Sequence, residues 1–273
     1  MKFGFVLPSN DAKMAVAFAK EVEAAGWDGF FVWEPVWGQD PWVMLGACAM
    51  VTERVKLGTL LTPPSRRRPW TLANQALAVD LLSDGRTILS VGLGAVDTGF
   101  EAFGEETDRK TRAELLDESI DILTGLWSGE PLEYDGKHHT IQKMDFHHQP
   151  PPSVQQPRIP IWVVGAWRRE KSMQRVLKCD GILVAGMDEK GEWYEIQPQH
   201  VKEIKAYINE HRQLDTPFDI IIENTTPGDD PKAAAEKVRP WAEAGASWWI
   251  ESMWETEDEN AWLERVRKGP PRL

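Results

Sequence analysis

The sequence predicts an α/β fold, a single (β/α)8 TIM barrel, on three observations. Short apolar runs alternate eight times with longer segments of helical period. The runs are rich in Val, Ile and Leu and apolar on both faces, as in parallel strands covered on either side. Eight such units fill a chain of 273 residues, close to the ~250 residues typical of a closed barrel. A doubly wound open sheet is the alternative. Against it, no Gly-x-Gly-x-x-Gly turn follows the first strand, where the chain reads Pro8-Ser9-Asn10.

Phe3 to Leu7 is the first strand. Asp11 is placed to cap the helix that follows, and Gly26 to end it. Gly29 to Trp33 is the second strand, and Asp40-Pro41 opens a helix to about Val51, with Pro in the first turn. Val55 to Leu61 is the third strand, stopped by Pro63-Pro64; its helix runs from about Pro69 to Leu82. Thr87 to Val91 is the fourth strand, followed by a long helix from about Asp108 to Trp127. The fifth strand is Ile159 to Val164, with a helix from Arg169 to Leu177. The sixth is Gly181 to Val184, with a helix from about Gln199 to His211. Phe218 to Glu223 is the seventh, with a helix from Pro231 to Ala244 and Gly245 at its end. Ser247 to Glu251 is the eighth, with a helix from Glu257 to Lys268.

One segment breaks the rhythm. Residues 128–158, between helix 4 and strand 5, hold five prolines and four histidines. So long a loop is usually functional or locally structured. It reads as an excursion within one domain spanning residues 1–273, with a hairpin around Tyr134-Asp135-Gly136-Lys137.

Composition narrows the function classes. Hydrophobic residues are 42% and charged residues 27%, as in an ordinary globular protein. The net charge of −12 repels phosphate backbones, so no nucleic-acid partner is expected. Two cysteines, Cys48 and Cys179, are too few for a disulfide framework or a four-thiolate zinc site. No signal-peptide apolar region follows Lys2, and no apolar run approaches ~20 residues. No membrane partner is therefore expected, and a reducing cytoplasm is the expected compartment. The unusual count is Trp, at 14. Trp combines a large apolar face with one N–H that needs a partner. So many fit a deep aromatic pocket, core packing or a subunit contact. The apolar second helix, Trp42 to Val51, together with this Trp content, predicts a homodimer.

In a barrel of this kind the active site lies at the C-terminal ends of the strands. Those ends carry Pro8, Ser9 and Asn10; Trp33 and Glu34; Leu60, Leu61 and Thr62; and Gly92, Leu93, Gly94 and Ala95. Further round come Gly165, Ala166 and Trp167; Ala185 and Gly186; Glu223 and Asn224; and Glu251 and Ser252. The set is apolar, aromatic and small, which suits a planar cofactor better than a hydrolytic metal. No catalytic metal is expected. His138, His139, His147 and His148 form adjacent pairs that point to opposite faces of a strand, and neither they nor His200 and His211 lie at a strand end. The turn Gly165-Ala166-Trp167-Arg168-Arg169 enters a helix, and free N–H groups there favour an anion such as a phosphate. Arg168 or Arg169 would add a charged contact; both being solvated is the alternative. Ser65-Arg66-Arg67-Arg68 is a second basic cluster, read either as an anion site or as neutralising nearby acids.

Several stretches together carry a family resemblance. They are DGFFVWE from Asp28, LGTLLTPPSRRRPWTLA from Leu57, LLSDGRTILSVGLG from Leu81 and FGEETDRKTRAELLDESIDILTGLWSG from Phe103. YDGKHH from Tyr134, PRIPIWVVG from Pro157 and CDG at Cys179 complete the order. In these the chain resembles the luciferase-like monooxygenase family of flavin-dependent oxidoreductases, which includes users of the deazaflavin coenzyme F-420. The resemblance spans nearly the whole chain and implies the same barrel. It implies a flavin ring at the barrel mouth, a phosphate at the Gly165 to Arg168 turn, and a non-proline cis peptide matching Leu60–Leu61.

The chain also departs from the family's pattern. Many relatives carry Asp-His after strand 2, where this chain has Glu34-Pro35. After strand 4 it reads Gly92-Leu93-Gly94-Ala95-Val96-Asp97 rather than Gly-Leu-Gly-Ala-Gly-Trp. A general acid or base must then be found elsewhere or is absent; Glu34, Glu223 and Glu251, at the ends of strands 2, 7 and 8, are the candidates. A carboxyl in a Trp-lined site has its charged form disfavoured; an ion pair with a loop Arg or Lys is the alternative for each. The expectation is an FMN-dependent oxidoreductase or monooxygenase acting on a small organic molecule, with Glu34 and Glu251 catalytic. Trp33, Leu60, Leu61, Thr62, Gly92, Gly94, Gly165, Ala166, Trp167 and Arg168 are expected at the cofactor. Coenzyme F-420 is the alternative cofactor, and a non-catalytic flavin-binding barrel the alternative role.

Overall fold

Eight parallel strands close on themselves in the computed structural model, which describes residues 1–143, 150–188 and 190–273. The strands are β1 (Lys2–Leu7), β2 (Gly29–Val32), β3 (Lys56–Thr59), β4 (Thr87–Val91), β7 (Ile161–Trp167), β8 (Gly181–Gly186), β9 (Asp219–Asn224) and β10 (Trp248–Ser252). They pair in that order round the barrel, and β10 returns to β1. The remaining two strands, β5 (Tyr134–Asp135) and β6 (Thr140–Ile141), form a small antiparallel hairpin.

Helices α1 (Ala12–Ala24), α2 (Pro41–Ala49), α3 (Pro69–Leu82) and α4 (Arg109–Trp127) follow the first four barrel strands. They are followed by α5 (Glu170–Val176), α6 (Pro198–His211), α7 (Pro231–Ala244) and α8 (Glu259–Arg267) after the last four. Their starts follow from local chemistry. Asp11, Asp40, Asp108, Asp230 and Asp258 each accept a hydrogen bond from a first-turn N–H that has no helical partner. Gly245, in the left-handed region at φ 111°, ends α7 where a side chain would be strained. Among the described residues, no helix is long and apolar enough to cross a membrane.

Two layers of core result from the strand alternation. Val6, Phe31, Ile88, Trp162, Ile221, Trp248 and Ile250 point inward and fill the lumen. Phe5, Leu57, Leu89, Val163, Ile222 and Trp249 point outward against the helices. Phe31 is the centre of the lumen, 5.6 Å from the Trp162 ring and 6.1 Å from Trp248. Gly4 and Gly29 make that possible, since a Cβ on either would come within 2.8 or 2.9 Å of the Phe31 ring. Cys48 and Cys179 are both buried free thiols, and burial pushes each up to about 12.

The excursion is fastened to α4. One Glu118 carboxylate accepts the N–H groups of Lys137, His138 and His139 at 2.7–3.1 Å. Its return leg is tied to α3, where Asp80 accepts from Val154 N–H and Gln155 Nε2. His138 bonds Glu114, His139 lies against Trp70, His200 helps cap α6 and His211 stacks on Tyr207. His147 and His148 lie outside the described residues.

Three boundaries differ from the sequence reading in ways that matter. The fifth barrel strand runs to Trp167, three residues beyond Val164, so Gly165 and Ala166 are strand and not turn. The third strand stops at Thr59, and the next peptide, Leu60–Leu61, is cis. The eighth strand extends to Ser252, which fixes the facing of Glu251.

Candidate active site

A cavity of about 1090 Å³ opens at the C-terminal ends of the barrel strands. It lies at the upper end of the ~300–1,000 Å³ usual for small-molecule sites. Leu60, Leu61, Val164 and Ala166 supply an apolar floor, with Leu93, Gly94 and Phe100 beside it. Trp33 and Trp254 meet edge to face, with centroids 6.2 Å apart and planes at 81°. Trp193 completes the aromatic side. The Trp33 indole nitrogen itself is buried away from the cavity solvent and has no hydrogen-bond partner.

Glu34 reaches this cavity from the end of β2, and it is paired. Its Oε1 is 2.9 Å from Arg67 Nε and 3.4 Å from Arg66 Nη1. Burial raises its pKa, while the two guanidinium groups pull the other way. Its Oε2 is buried without a partner. Arg66 also faces Glu105, and Arg67 also faces Asp40. These two members of the Ser65–Arg68 cluster therefore neutralise acids, whereas Arg68 lies over the Trp70 ring.

Glu251 does not reach the cavity, which corrects its expected place there. Trp248 and Ile250 fill the lumen, so Glu251 points outward toward α8. It is fully buried and fully bonded. It accepts from Thr226 N–H at 2.7 Å, Thr226 Oγ1 at 2.8 Å and Arg265 Nε at 3.0 Å. Such a saturated ion pair is a structural tie between strand and helix, with no oxygen facing the cavity.

Glu223, the other strand-end carboxyl, does face the cavity. Ile221 points into the lumen, and two residues further on Glu223 repeats that facing at the mouth. Trp254 Nε1 donates to its Oε1. Protein crowds the group closely even though its tip meets cavity solvent, and this desolvation raises its pKa. It has no salt-bridge partner among the described residues.

The turn after β7 differs from expectation in its direction. A Cβ on Gly165 would strike Ile182 and Val176, so that residue faces the helices rather than the cavity. Trp167 also faces outward, and its indole N–H and Arg168 both meet Glu203. Arg168 sits in the left-handed region at φ 70° and is exposed. Of this turn, Ala166 and Arg169 line the cavity, and the Ala166 N–H donates to Ser172 Oγ at 2.9 Å. Thr62 is buried against Thr59, and Gly92 lies behind Leu61 and Val164; neither lines the cavity.

The opposite wall is cationic, and the sequence reading missed most of it. Arg109, Lys110, Arg112, Arg169, Lys171 and Arg175 line the cavity. Arg112 is spent on the Leu93 and Gly94 carbonyls, and Arg175 on Asp117. Among the described residues Arg109, Lys110 and Lys171 have no ion-pair partner. The sequence reading did not single these three out; the available signal was their position just after strand-end loops. Trp254 was missed because it follows the last strand by two residues in a polar segment.

An apolar floor and a cationic far wall fit a planar ring with an anionic tail. The parallel barrel with this cavity at its strand ends defines a small-molecule site at the mouth of the barrel. The chain belongs to the luciferase-like monooxygenase family, whose model matches residues 1–269. It is 30% identical over 158 residues to an F420-dependent glucose-6-phosphate dehydrogenase of Amycolatopsis mediterranei, covering 54% of this chain and 46% of that one. The chain thus spans about half the length of the curated relatives it matches. Two solved structures share the fold at low identity. An F420-dependent tetrahydromethanopterin reductase from Methanopyrus kandleri has TM-score 0.74, 16% identity and 98% coverage of both chains. The oxygenating constituent of 3,6-diketocamphane monooxygenase from Pseudomonas putida, in complex with FMN, has TM-score 0.73 and 15% identity, covering 99% and 98%.

Proposed function

We propose that this chain is an oxidoreductase that binds the deazaflavin coenzyme F-420 in the strand-end cavity and acts on a small organic substrate. The observation that carries this reading is the cationic wall. Arg109 and Lys110 occupy the first turn of α4, where positive charge opposes the helix dipole. Helix stability does not account for them there. With Lys171 they offer three cations without a salt-bridge partner among the described residues, which suits an anionic tail carrying more charge than one phosphate. Leu60, Leu61 and Val164 would hold the ring, and Arg109, Lys110 and Lys171 the tail. When bound, the coenzyme supplies the two-electron donor or acceptor.

The chain's own residues do the rest. Trp33 and Trp254 pack edge to face and give the cavity an aromatic wall beside the reacting face. Glu223, which faces the cavity and whose pKa is raised by desolvation, accepts or returns the substrate proton. Glu34 holds Arg66 and Arg67 at the rim. The curated relatives named as F420-dependent enzymes support the coenzyme choice. FMN is the second reading: its single phosphate fits the smaller group of Arg169, Lys171 and Ser172, and an FMN complex shares the fold.

Titrating the purified protein with F-420 and with FMN, each followed by its own absorption and fluorescence, tests the choice. Tighter binding of F-420, weakened by the double change Arg109→Ala and Lys110→Ala, is expected. Tighter FMN binding indifferent to those changes transfers the assignment to FMN. Binding of neither removes the cofactor reading.

A further inference from the structure

We propose that residues 95–105, between β4 and α4, form a hinged flap over one side of the strand-end cavity, which opens as a single piece and is latched shut by the stacking of Phe103 on Trp37. The inference does not depend on which coenzyme the cavity takes.

The segment is bonded to itself. It consists of two short 3-10 turns, Val96–Thr98 and Glu101–Phe103, and the residues that join them. The Thr98 N–H donates to the Ala95 carbonyl, Phe100 to Val96, Phe103 to Gly99, Gly104 to Glu101 and Glu105 to Phe100. Among the described residues, no backbone-to-backbone hydrogen bond joins residues 95–105 to the rest of the protein. The two ends are loose. Gly94 sits at φ 78°, in the left-handed region that a side chain disfavours. Glu106 and Thr107 lead into α4 without a backbone-to-backbone hydrogen bond. A piece that is complete in itself and tied loosely at both ends opens as a unit.

Side chains alone hold the piece down. Phe100 is the inner anchor, with the guanidinium carbons of Arg66 and Arg112 each 5.7 Å from its ring centroid. Both arginines are fixed to their surroundings, Arg66 by the Pro35 and Val36 carbonyls and Arg112 by those of Leu93 and Gly94. Arg66 also faces Glu105 at 3.6 Å. The outer fastening lies on the surface. Phe103 and Trp37 stack with centroids 6.0 Å apart and planes at 12°, yet they remain 57% and 81% exposed. Rings left so bare add little to the core. What their contact joins is the flap to the loop between β2 and α2.

The inner side of the flap, Ala95, Thr98 and Phe100, lines the cavity. A ligand that touches these residues favours the closed flap over the open one, so a filled cavity opens less often.

Hydrogen exchange of the whole protein, read by mass spectrometry, tests this. Peptides covering 95–105 should exchange together, ahead of those from β4 and α4. Trp37→Ala should speed exchange across the whole segment by about three- to tenfold, the scale of one aromatic pair. Phe103→Ala should do the same, and the double variant no more than either alone, because the two rings make one contact. Exchange in β9 and α7 should stay parental in all three. Saturating F-420, or FMN where F-420 does not bind, should slow exchange in 95–105.

Exchange of 95–105 at the rate of an unprotected peptide in the parent overturns the proposal, since no closed state would exist to latch. So does exchange indifferent to both substitutions, or two effects that add in full. A coenzyme that binds without slowing exchange overturns the role of the flap at the cavity. If neither coenzyme binds, the cofactor reading falls and the three variants alone decide the flap.

Discussion

Replacing Glu251 by Ala separates a structural carboxylate from a catalytic one. The change leaves Arg265 buried beside Thr226 with its anion gone. Removing one partner of a buried ion pair costs about 3–5 kcal/mol. For a chain of this length the unfolding entropy makes each kcal/mol worth roughly 2 °C, so Tm should fall by about 6–10 °C. Scanning calorimetry and urea melts measure the loss. Because the carboxylate faces α8, F-420 or FMN affinity measured well below the lowered Tm should match the parent. The paired change Glu251→Leu with Arg265→Met removes both charges and should recover most of the stability. A variant with parental Tm but lost turnover or cofactor binding would refute the outward, structural assignment.

Other expectations follow from the same geometry. Arg109→Ala with Lys110→Ala should weaken F-420 binding by about 10–100-fold, from two lost charged contacts, and should flatten its dependence on salt in titrations from low to high ionic strength. Glu223 has its pKa raised on folding, so the native state binds its proton more tightly than the unfolded chain. Its contribution therefore becomes less favourable as pH rises from the unfolded carboxyl pKa of about 4.3 toward the higher native value. Urea melts of parent and Glu223→Gln should thus diverge in the variant's favour over that window; a constant difference would count against the shift. We also propose that the chain is a homodimer through α2, where Val43 is 72% and the capping Met50 67% exposed. Sedimentation should give a dimer mass, and Val43→Glu with Met50→Glu a monomer. A monomeric parent would remove that face as an interface.

Elements were legible in the sequence because they rest on local chemistry. Asp11, Asp40 and Asp108 cap the helices they precede, and apolar runs such as Ile220–Ile222 are strands. Facing was much less legible. A strand buried on both sides has no polar alternation from which to read its inner face. Glu223 and Glu251 therefore looked equivalent, although one lines the cavity and the other serves α8. The same loss of phase hid Gly165, which lies in β7 facing Ile182. Pairing was illegible for a different reason. Arg66 and Arg67 lie more than thirty positions from Glu34, and only barrel closure brings them to it.

The packed lumen has a kinetic consequence. Phe31, Trp162 and Trp248 fill the space beneath the cavity, and Gly4 and Gly29 yield their side-chain volume so that Phe31 fits. Among the described residues the barrel core therefore offers no rear exit. A molecule lying deepest against Leu60, Leu61 and Val164 has only the mouth to enter and leave by, so whatever occupies the mouth sets the earliest moment at which the deeper one is exchanged.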